Sequence, residues 1–382
     1  MHKETILAQM GNHRERETGA ISFPVYHSTA YRHPGPGRST GFDYTRTANP
    51  TRSVLEEAIA ELEGGDAGFA CSSGMAAVQT VMGLFSQGDH LIVSLDLYGG
   101  TYRLFERVLV HLGLSFSYVD LRDLRAVEAA ATPQTRGIFI ETPTNPLMRV
   151  TDLTALCRMA RDKGWLSIVD NTFMTPYCQQ PLLKGADVVV HSATKYLGGH
   201  NDVLAGLIIT ATPALSERVG ELVNTLGAVL GPQEAWLLMR GMKTLALRME
   251  KHQENAMAIA QYLSTHPAVD QVYYPAFCPG ERKVQEGQAT GYGGMLSFRV
   301  QQKEMVSPFL SNLGLVSYAE SLGGVESLIT HPATQTHADL PEEIRRRTGV
   351  CDRLLRMSVG IEHLEDLVGD LSRALNHARV VV

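Results

Sequence analysis

The stretch Asp187-Val-Val-Val-His-Ser-Ala-Thr-Lys195-Tyr-Leu-Gly-Gly-His200 passes from a short β-branched run into small polar residues and glycines. Three consecutive valines read as a strand buried on both faces of a parallel sheet. Lys195 then falls just beyond that strand's carboxyl end, the edge at which open α/β sheets bind ligands. An amine held there, out of bulk water, gives up its proton more readily and becomes able to form a Schiff base. A solitary loop lysine is ordinarily a surface residue. Lys195 earns another reading from the residues around it.

Outward from this stretch, apolar strands are expected near 68–70, 91–95, 115–119, 137–140, 166–169, 187–190 and 205–209, mostly separated by helix-length segments. That alternation predicts an α/β fold whose central sheet is mainly parallel and covered on both faces. Upstream, Pro50 opens a helix over 51–63 with Val54, Ala58 and Leu62 on one face and Gly64-Gly65 as its stop. Residues 1–47 carry aromatic anchors (Phe23, Tyr26, Tyr31, Phe42, Tyr44) with little helical period. They read as an extended arm lying on another surface, such as a second subunit. After Pro232 a helical stretch over 233–264, with a break near Gly241, leads to shorter strands at 271–274, 294–300, 315–319 and 354–359. The organisation expected is an arm at 1–47, a large domain at 48–241 and a smaller α+β C-terminal domain at 242–382.

A chain of 382 residues, 44% hydrophobic and 19% charged, has the composition of an ordinary globular enzyme. Its formal charge of -6 argues against a nucleic-acid or anionic-membrane binder, which needs a basic field. The densest basic run, Arg345 to Arg347, reads as a solvated face. Five scattered cysteines without a C-x-x-C spacing fit a reducing, cytoplasmic setting. The first residues lack the apolar core of a signal peptide, and no run reaches the length of a membrane span. His191, His200 and His337 read as loop or packing residues, and no His/Cys/Asp spacing suggests a metal.

The chemistry lies in five places. Cys71-Ser-Ser-Gly-Met-Ala-Ala77 sets Ser73, Gly74 and Met75 at a strand-to-helix junction, where free amides can hold a phosphate; the same residues also suit a plain helix cap. It matches neither the P-loop nor the dinucleotide fingerprint. Leu166-Ser-Ile-Val-Asp170 ends a buried strand with a carboxylate, which needs a cation or a structural hydrogen bond. Lys195 follows at the same sheet edge. Asp96-Leu-Tyr98-Gly-Gly-Thr-Tyr102-Arg103 puts an aromatic ring among glycines, where it suits stacking on a flat cofactor and equally the more frequent role of a packed loop tyrosine. Leu354-Leu-Arg356-Met-Ser plants a fork-shaped cation in an apolar strand, and a bidentate carboxylate fits it best. An aldehyde-capturing lysine, a carboxylate for a protonated ring nitrogen, a phosphate cup, a stacking ring and a carboxylate clamp make the parts list of a pyridoxal phosphate enzyme acting on an amino acid.

The chain also resembles a family over almost its whole length. Tyr44-Thr-Arg46-Thr-Ala-Asn-Pro-Thr51, Ser72-Ser-Gly-Met-Ala-Ala77, Asp96 to Tyr102, Glu141-Thr-Pro-Thr-Asn-Pro146, Val169-Asp-Asn-Thr172, His191 to His200, Ser321-Leu-Gly-Gly-Val-Glu-Ser327 and Arg356-Met-Ser-Val-Gly360 look like the motifs of the cysteine/methionine-metabolism enzymes. The resemblance implies the fold-type I, aspartate aminotransferase-like fold and pyridoxal 5'-phosphate in Schiff-base linkage to Lys195. It implies that Asp170 pairs with the ring nitrogen and that Tyr98 stacks on the ring. Ser73, Gly74, Met75, Ser192 and Thr194 would then hold the phosphate. Arg356 would bind the substrate carboxylate near Asn145 and Ser321, with Arg103 and Glu326 completing the substrate set. Glu326 equally suits a carboxylate at a helix start. Tyr44 and Arg46 would reach a neighbouring subunit's phosphate in a homotetramer built as a dimer of dimers.

Within the family, Gly100 stands where methionine γ-lyases have cysteine, and Leu322 where enterobacterial cystathionine β-lyases have tryptophan. Ser28 to His33, Gly41 to Arg46 and His331 to His337 look most like Gram-positive enzymes that use O-acetylhomoserine as cystathionine γ-synthases, often with thiolyase activity. The implied reaction is γ-replacement of an O-acylhomoserine by cysteine, or by sulfide, in methionine biosynthesis. Cystathionine γ-lyase, or β-lyase, activity is the alternative.

Overall fold

A computed structural model describes residues 1–338 and 342–382, apart from the side chains of three residues in 342–347. The basic face expected at 345–347 therefore lies partly outside the described residues; Arg345 itself is half-buried and donates to the Ala333 carbonyl at 2.6 Å.

Seven strands form the large sheet: β1 (Ala67–Cys71), β2 (His90–Ser94), β3 (Ser115–Val119), β4 (Thr135–Glu141), β5 (Leu166–Asp170), β6 (Val188–Ser192) and β7 (Gly206–Thr210). Their order is β1-β7-β6-β5-β4-β2-β3, and only β7 runs against its neighbours. Successive side chains along a strand point to opposite faces. In β6, Val189 accordingly joins one apolar core while Val188 and Val190 join the other, which is why the strand can be valine throughout. The helix Pro50–Glu63 covers the first face, and the helices Gly74–Met82 and Pro213–Leu226 cover the second.

A second sheet follows, made of β8 (Val269–Tyr273), β9 (Met295–Val300), β10 (Ser317–Tyr318), β11 (Leu328–Thr330) and β12 (Leu354–Ser358), in the order β10-β11-β12-β9-β8. It has its own core, closed by the helices Leu245–Thr265 and Leu364–Val381.

Two differences from the sequence expectations have physical causes. The first residues are not extended: Lys3–Ala8 is helical, because Leu7 and Met10 insert into the core of the large sheet and Lys3 Nζ donates to the Tyr177 carbonyl at 3.0 Å. Further along, Trp236 Nε1 donates to the Phe23 carbonyl at 3.1 Å. The helical stretch after Pro232 breaks at Lys243-Thr244 rather than at Gly241. Gly241 stays helical, and its missing side chain serves instead to let the Gly198 backbone approach. Among the described residues no helix is long and apolar enough to cross a membrane.

Candidate active site

The carboxyl ends of β4, β5 and β6 form one edge of the large sheet, and β12 of the small sheet faces it. Ser73, Gly74, Met75, Tyr98, Asn145, Asp170, Ser192, Thr194, Lys195, Ser321 and Arg356 all line a single cavity there, of about 260 Å³.

Each wall has a local cause. The helix Gly74–Met82 starts on Ser73, whose side chain accepts from the Ala76 N–H, so the amides of Gly74 and Met75 are left unused at a positive helix end. A Cβ on Gly74 would lie 2.8 Å from Ser192 Cβ, so glycine lets the helix start press against the end of β6. Small hydroxyl residues and free amides thereby share one concave corner.

Asp170 and Glu141 are register partners at the ends of β5 and β4. Burial raises the Asp170 carboxyl above its usual range, opposed by hydrogen bonding from Thr172, whose N–H lies 3.0 Å from Oδ1, and by His191. Glu141 is raised further, first by burial and then by the charge of Asp170, and it accepts the Tyr98 N–H at 3.0 Å. Two adjacent buried carboxylates at a cavity wall favour a cationic ligand group.

Lys195 Nζ donates to Ser321 Oγ at 2.9 Å. Burial, then the nearby Arg356 charge, lowers its pKa to about 8, with Glu320 opposing. Ser321 is held at φ +127°, a region that L side chains rarely adopt, which marks a backbone constrained by its surroundings.

Arg356 is 2% exposed. Nη1 donates to Asn145 Oδ1 at 2.8 Å and Nη2 to the Ser321 carbonyl at 3.3 Å, while Nε is buried without a partner. Burial brings its pKa down to about 10. A buried guanidinium with an unused N–H is matched by a carboxylate ligand.

Four expected residues lie elsewhere. Arg103 is exposed on the helix Gly99–Leu104 and does not line the cavity. Thr101 does, and two helical residues turn the side chain by about 200°, which carries Arg103 to the outside. Glu326 lines an adjoining cavity and accepts from Asn201 Nδ2 at 2.7 Å. It starts no helix, since the chain runs on into β11. Tyr44 and Arg46 are exposed and away from the cavity; the Arg46 guanidinium lies 5.7 Å from the Tyr44 ring centroid and donates to Asn224. His337 is buried and His200 half-buried; His191 is buried too, is among the residues that line the cavity, and hydrogen-bonds Glu63 through Nε2.

Glu141, Thr172 and Glu320 line the cavity without having been singled out from the sequence. Glu141 was legible in principle, as a carboxylate ending a strand in the way Asp170 does. Glu320 follows no apolar pattern and is brought in only by the turn before Ser321.

The Cys/Met metabolism PLP-dependent enzyme description matches residues 4–376. The chain belongs to that family. Family membership makes pyridoxal phosphate its cofactor, and the phosphate corner, the paired carboxylates and the orphaned Arg356 Nε fit that group with an amino acid attached. The chain is 56% identical to the cystathionine gamma-synthase/O-acetylhomoserine (thiol)-lyase of Bacillus subtilis, over 98% of this chain and 96% of the relative. It is 52% identical to the cystathionine gamma-lyase of the same organism, over 99% of this chain and 100% of the relative. A crystal structure of cystathionine gamma synthase from Xanthomonas oryzae pv. oryzae in complex with cystathionine superposes with a TM-score of 0.98, at 41% identity and with all of both chains covered. The chain is thus a trans-sulfuration enzyme of the Cys/Met family.

Proposed function

We propose that the enzyme carries out γ-replacement on an O-acyl-L-homoserine, the O-acetyl ester by preference, with cysteine as the incoming thiol and cystathionine as the product. Sulfide in place of cysteine gives homocysteine. The observation that carries this reading is a second cavity of about 670 Å³ opening beside the first. It shares Thr194, Leu204, Glu320 and Ser321 with the Lys195 site and is also lined by Glu326. One amino acid can be held at Arg356 while a second approaches its γ-carbon.

Pyridoxal phosphate, when bound, supplies an electron sink that makes the protons of an attached amino acid removable. The chain's residues do the rest. Arg356 and Asn145 hold the α-carboxylate by a charge-assisted pair. With its amine free, Lys195 would take the α-proton and then a β-proton of the substrate, so that the acyloxy group leaves as its carboxylate; Ser321 orients its Nζ. The sulfur of cysteine, as its thiolate, would then add at the γ-carbon, and Lys195 would return protons to the β- and α-carbons. Tyr98 would stack on the ring and serve as acid/base partner, while Asp170 would keep the ring nitrogen protonated. Gly74 and Met75 amides with Ser73, Ser192 and Thr194 hydroxyls would hold the phosphate. Glu320 and Glu326 face the ammonium group of the incoming cysteine. Tyr44 and Arg46 complete a neighbouring subunit's phosphate site in a homotetramer, and unpaired cysteines fit a cytoplasmic setting.

A cystathionine γ-lyase is the second reading, supported by the 52% identical Bacillus relative. The deciding experiment mixes purified yellow enzyme with O-acetylhomoserine, with and without cysteine. Cystathionine formed only with cysteine supports the synthase. A protein inert to the ester that releases ketoacid from cystathionine is the lyase.

A further inference from the structure

Behind the wall that carries Asp170, on the opposite face of the sheet, lies a polar cluster that the chemistry above does not use. Its centre is Glu63, the last residue of the helix Pro50–Glu63, and His191 on β6, whose side chains are both fully buried. His191 Nε2 lies 2.7 Å from Glu63 Oε1. The same oxygen accepts from Asn171 Nδ2 at 2.9 Å, which leaves the Nε2–H of His191 as the donor in the first contact. Asn171 directly follows Asp170, donates its backbone N–H to the Val190 carbonyl at 3.0 Å, and exchanges side-chain bonds with Gln179. One carboxylate thus ties together the residue after Asp170 on β5 and the residue after its register partner, Val190, on β6.

We propose that Glu63 and His191 are positioning residues for Asp170, fixing the ends of β5 and β6 and so aiming the Asp170 carboxylate at the cofactor ring nitrogen. The proposal rests on the reading of Asp170 given above. His191 Nδ1 is buried and has no partner among the described residues, so the Glu63 contact is the ring's one anchor there. The need for a fixed bearing is local: burial raises the Asp170 carboxyl and Glu141 lies beside it as a second carboxylate, so an Asp170 that loses its alignment with a cation has every reason to take up a proton. The other ionisable groups in reach are Lys3 on the first helix and Cys178, both pushed toward their neutral forms by burial.

The test reads the ring nitrogen itself. Full-length wild-type protein, Glu63→Gln and His191→Gln are loaded with pyridoxal phosphate carrying ¹⁵N in the ring, and the nitrogen shift is followed by NMR across neutral pH. Expected is a ring nitrogen protonated in wild type and, in both variants, an apparent pKa lower by about one unit or more, as the Asp170 carboxylate loses its alignment with that nitrogen. Cofactor affinity should fall about tenfold for each such unit. Should either variant fail to fold, Glu63→Asp, which keeps the charge but withdraws it by one methylene, is expected to fall between wild type and Glu63→Gln. Folded variants that melt earlier yet keep the wild-type nitrogen titration overturn the proposal, leaving the pair a packing device. A wild-type protein whose ring nitrogen is neutral overturns the reading of Asp170 and this proposal with it.

Discussion

Lys195 and Arg356 sit close enough to shape each other's chemistry. Burial and the arginine together bring the lysine to a pKa of about 8, so its free amine becomes abundant as pH rises through that value. The rate at which cofactor-free enzyme captures pyridoxal phosphate should therefore climb between pH 7 and 9, and Arg356→Met should move the midpoint upward; a flat profile would contradict the desolvated-amine argument. Lys195→Ala should lose both turnover and the visible absorbance of the lysine-linked cofactor. Arg356→Ala should raise KM by a few powers of ten, since removing one partner of a buried charge pair costs about 2–5 kcal/mol. Steady-state kinetics with unchanged KM would count against its role. These two residues were legible in the sequence because each violates its setting, a lysine after a buried strand and an arginine within one. Arg103 was misplaced for the converse reason: its motif gave proximity along the chain, and only helical geometry says which side it faces.

At the scale of elements, the central strands of the large sheet were readable because burial on both faces leaves unbroken apolar runs such as 91–93, 138–140 and 188–190. The three-residue β11 was not. Leu328–Thr330 carries too little pattern to stand alone and becomes a strand only by pairing with β12 and β10. The opening helix was hidden similarly, since six residues make no stable helix until Leu7 is buried. The helix Gly74–Met82 offers a sharper test of how an element builds the site. Gly74→Ala places a methyl 2.8 Å from Ser192 Cβ, so the helix start must back away from β6 and the phosphate corner widens. The variant should fold, bind pyridoxal phosphate at least about tenfold more weakly, the equivalent of ~1.4 kcal/mol, and lose little kcat once saturated. Equilibrium dialysis measures the first and saturating kinetics the second. The same logic applies at Gly100, where any Cβ would overlap the Tyr98 ring, so the cysteine of methionine γ-lyases has no room here unless Tyr98 shifts.

Across the whole molecule, His252 on the helix Leu245–Thr265 touches both halves: its Nδ1 hydrogen-bonds the Val359 carbonyl just after β12 at 2.7 Å, and its ring packs edge-on against Tyr196, next to Lys195, at 5.1 Å. Burial pushes its pKa down to about 4. The unfolded chain then binds a proton between pH 6.5 and 4 that the folded chain refuses, so this group's contribution is present above 6.5 and is lost as pH falls. Between pH 7 and 5 the loss is about 2 kcal/mol, and His252→Asn should flatten the urea-denaturation profile by that amount even if it lowers stability overall. The exposed arm poses the larger question, because Tyr44 and Arg46 do not line the Lys195 cavity of their own chain. If they serve a neighbour, an Arg46→Ala subunit keeps a good Lys195 and a Lys195→Ala subunit keeps a good Arg46. Neither should be active alone. Co-refolded in equal amounts, they should form hybrid dimers in which one of the two sites has both residues intact, restoring about a quarter of wild-type activity by symmetry. Recovery near that level requires Arg46 to act across the subunit boundary. A mixture no better than its components would confine Arg46 to its contact with Asn224 and leave the arm a structural strap.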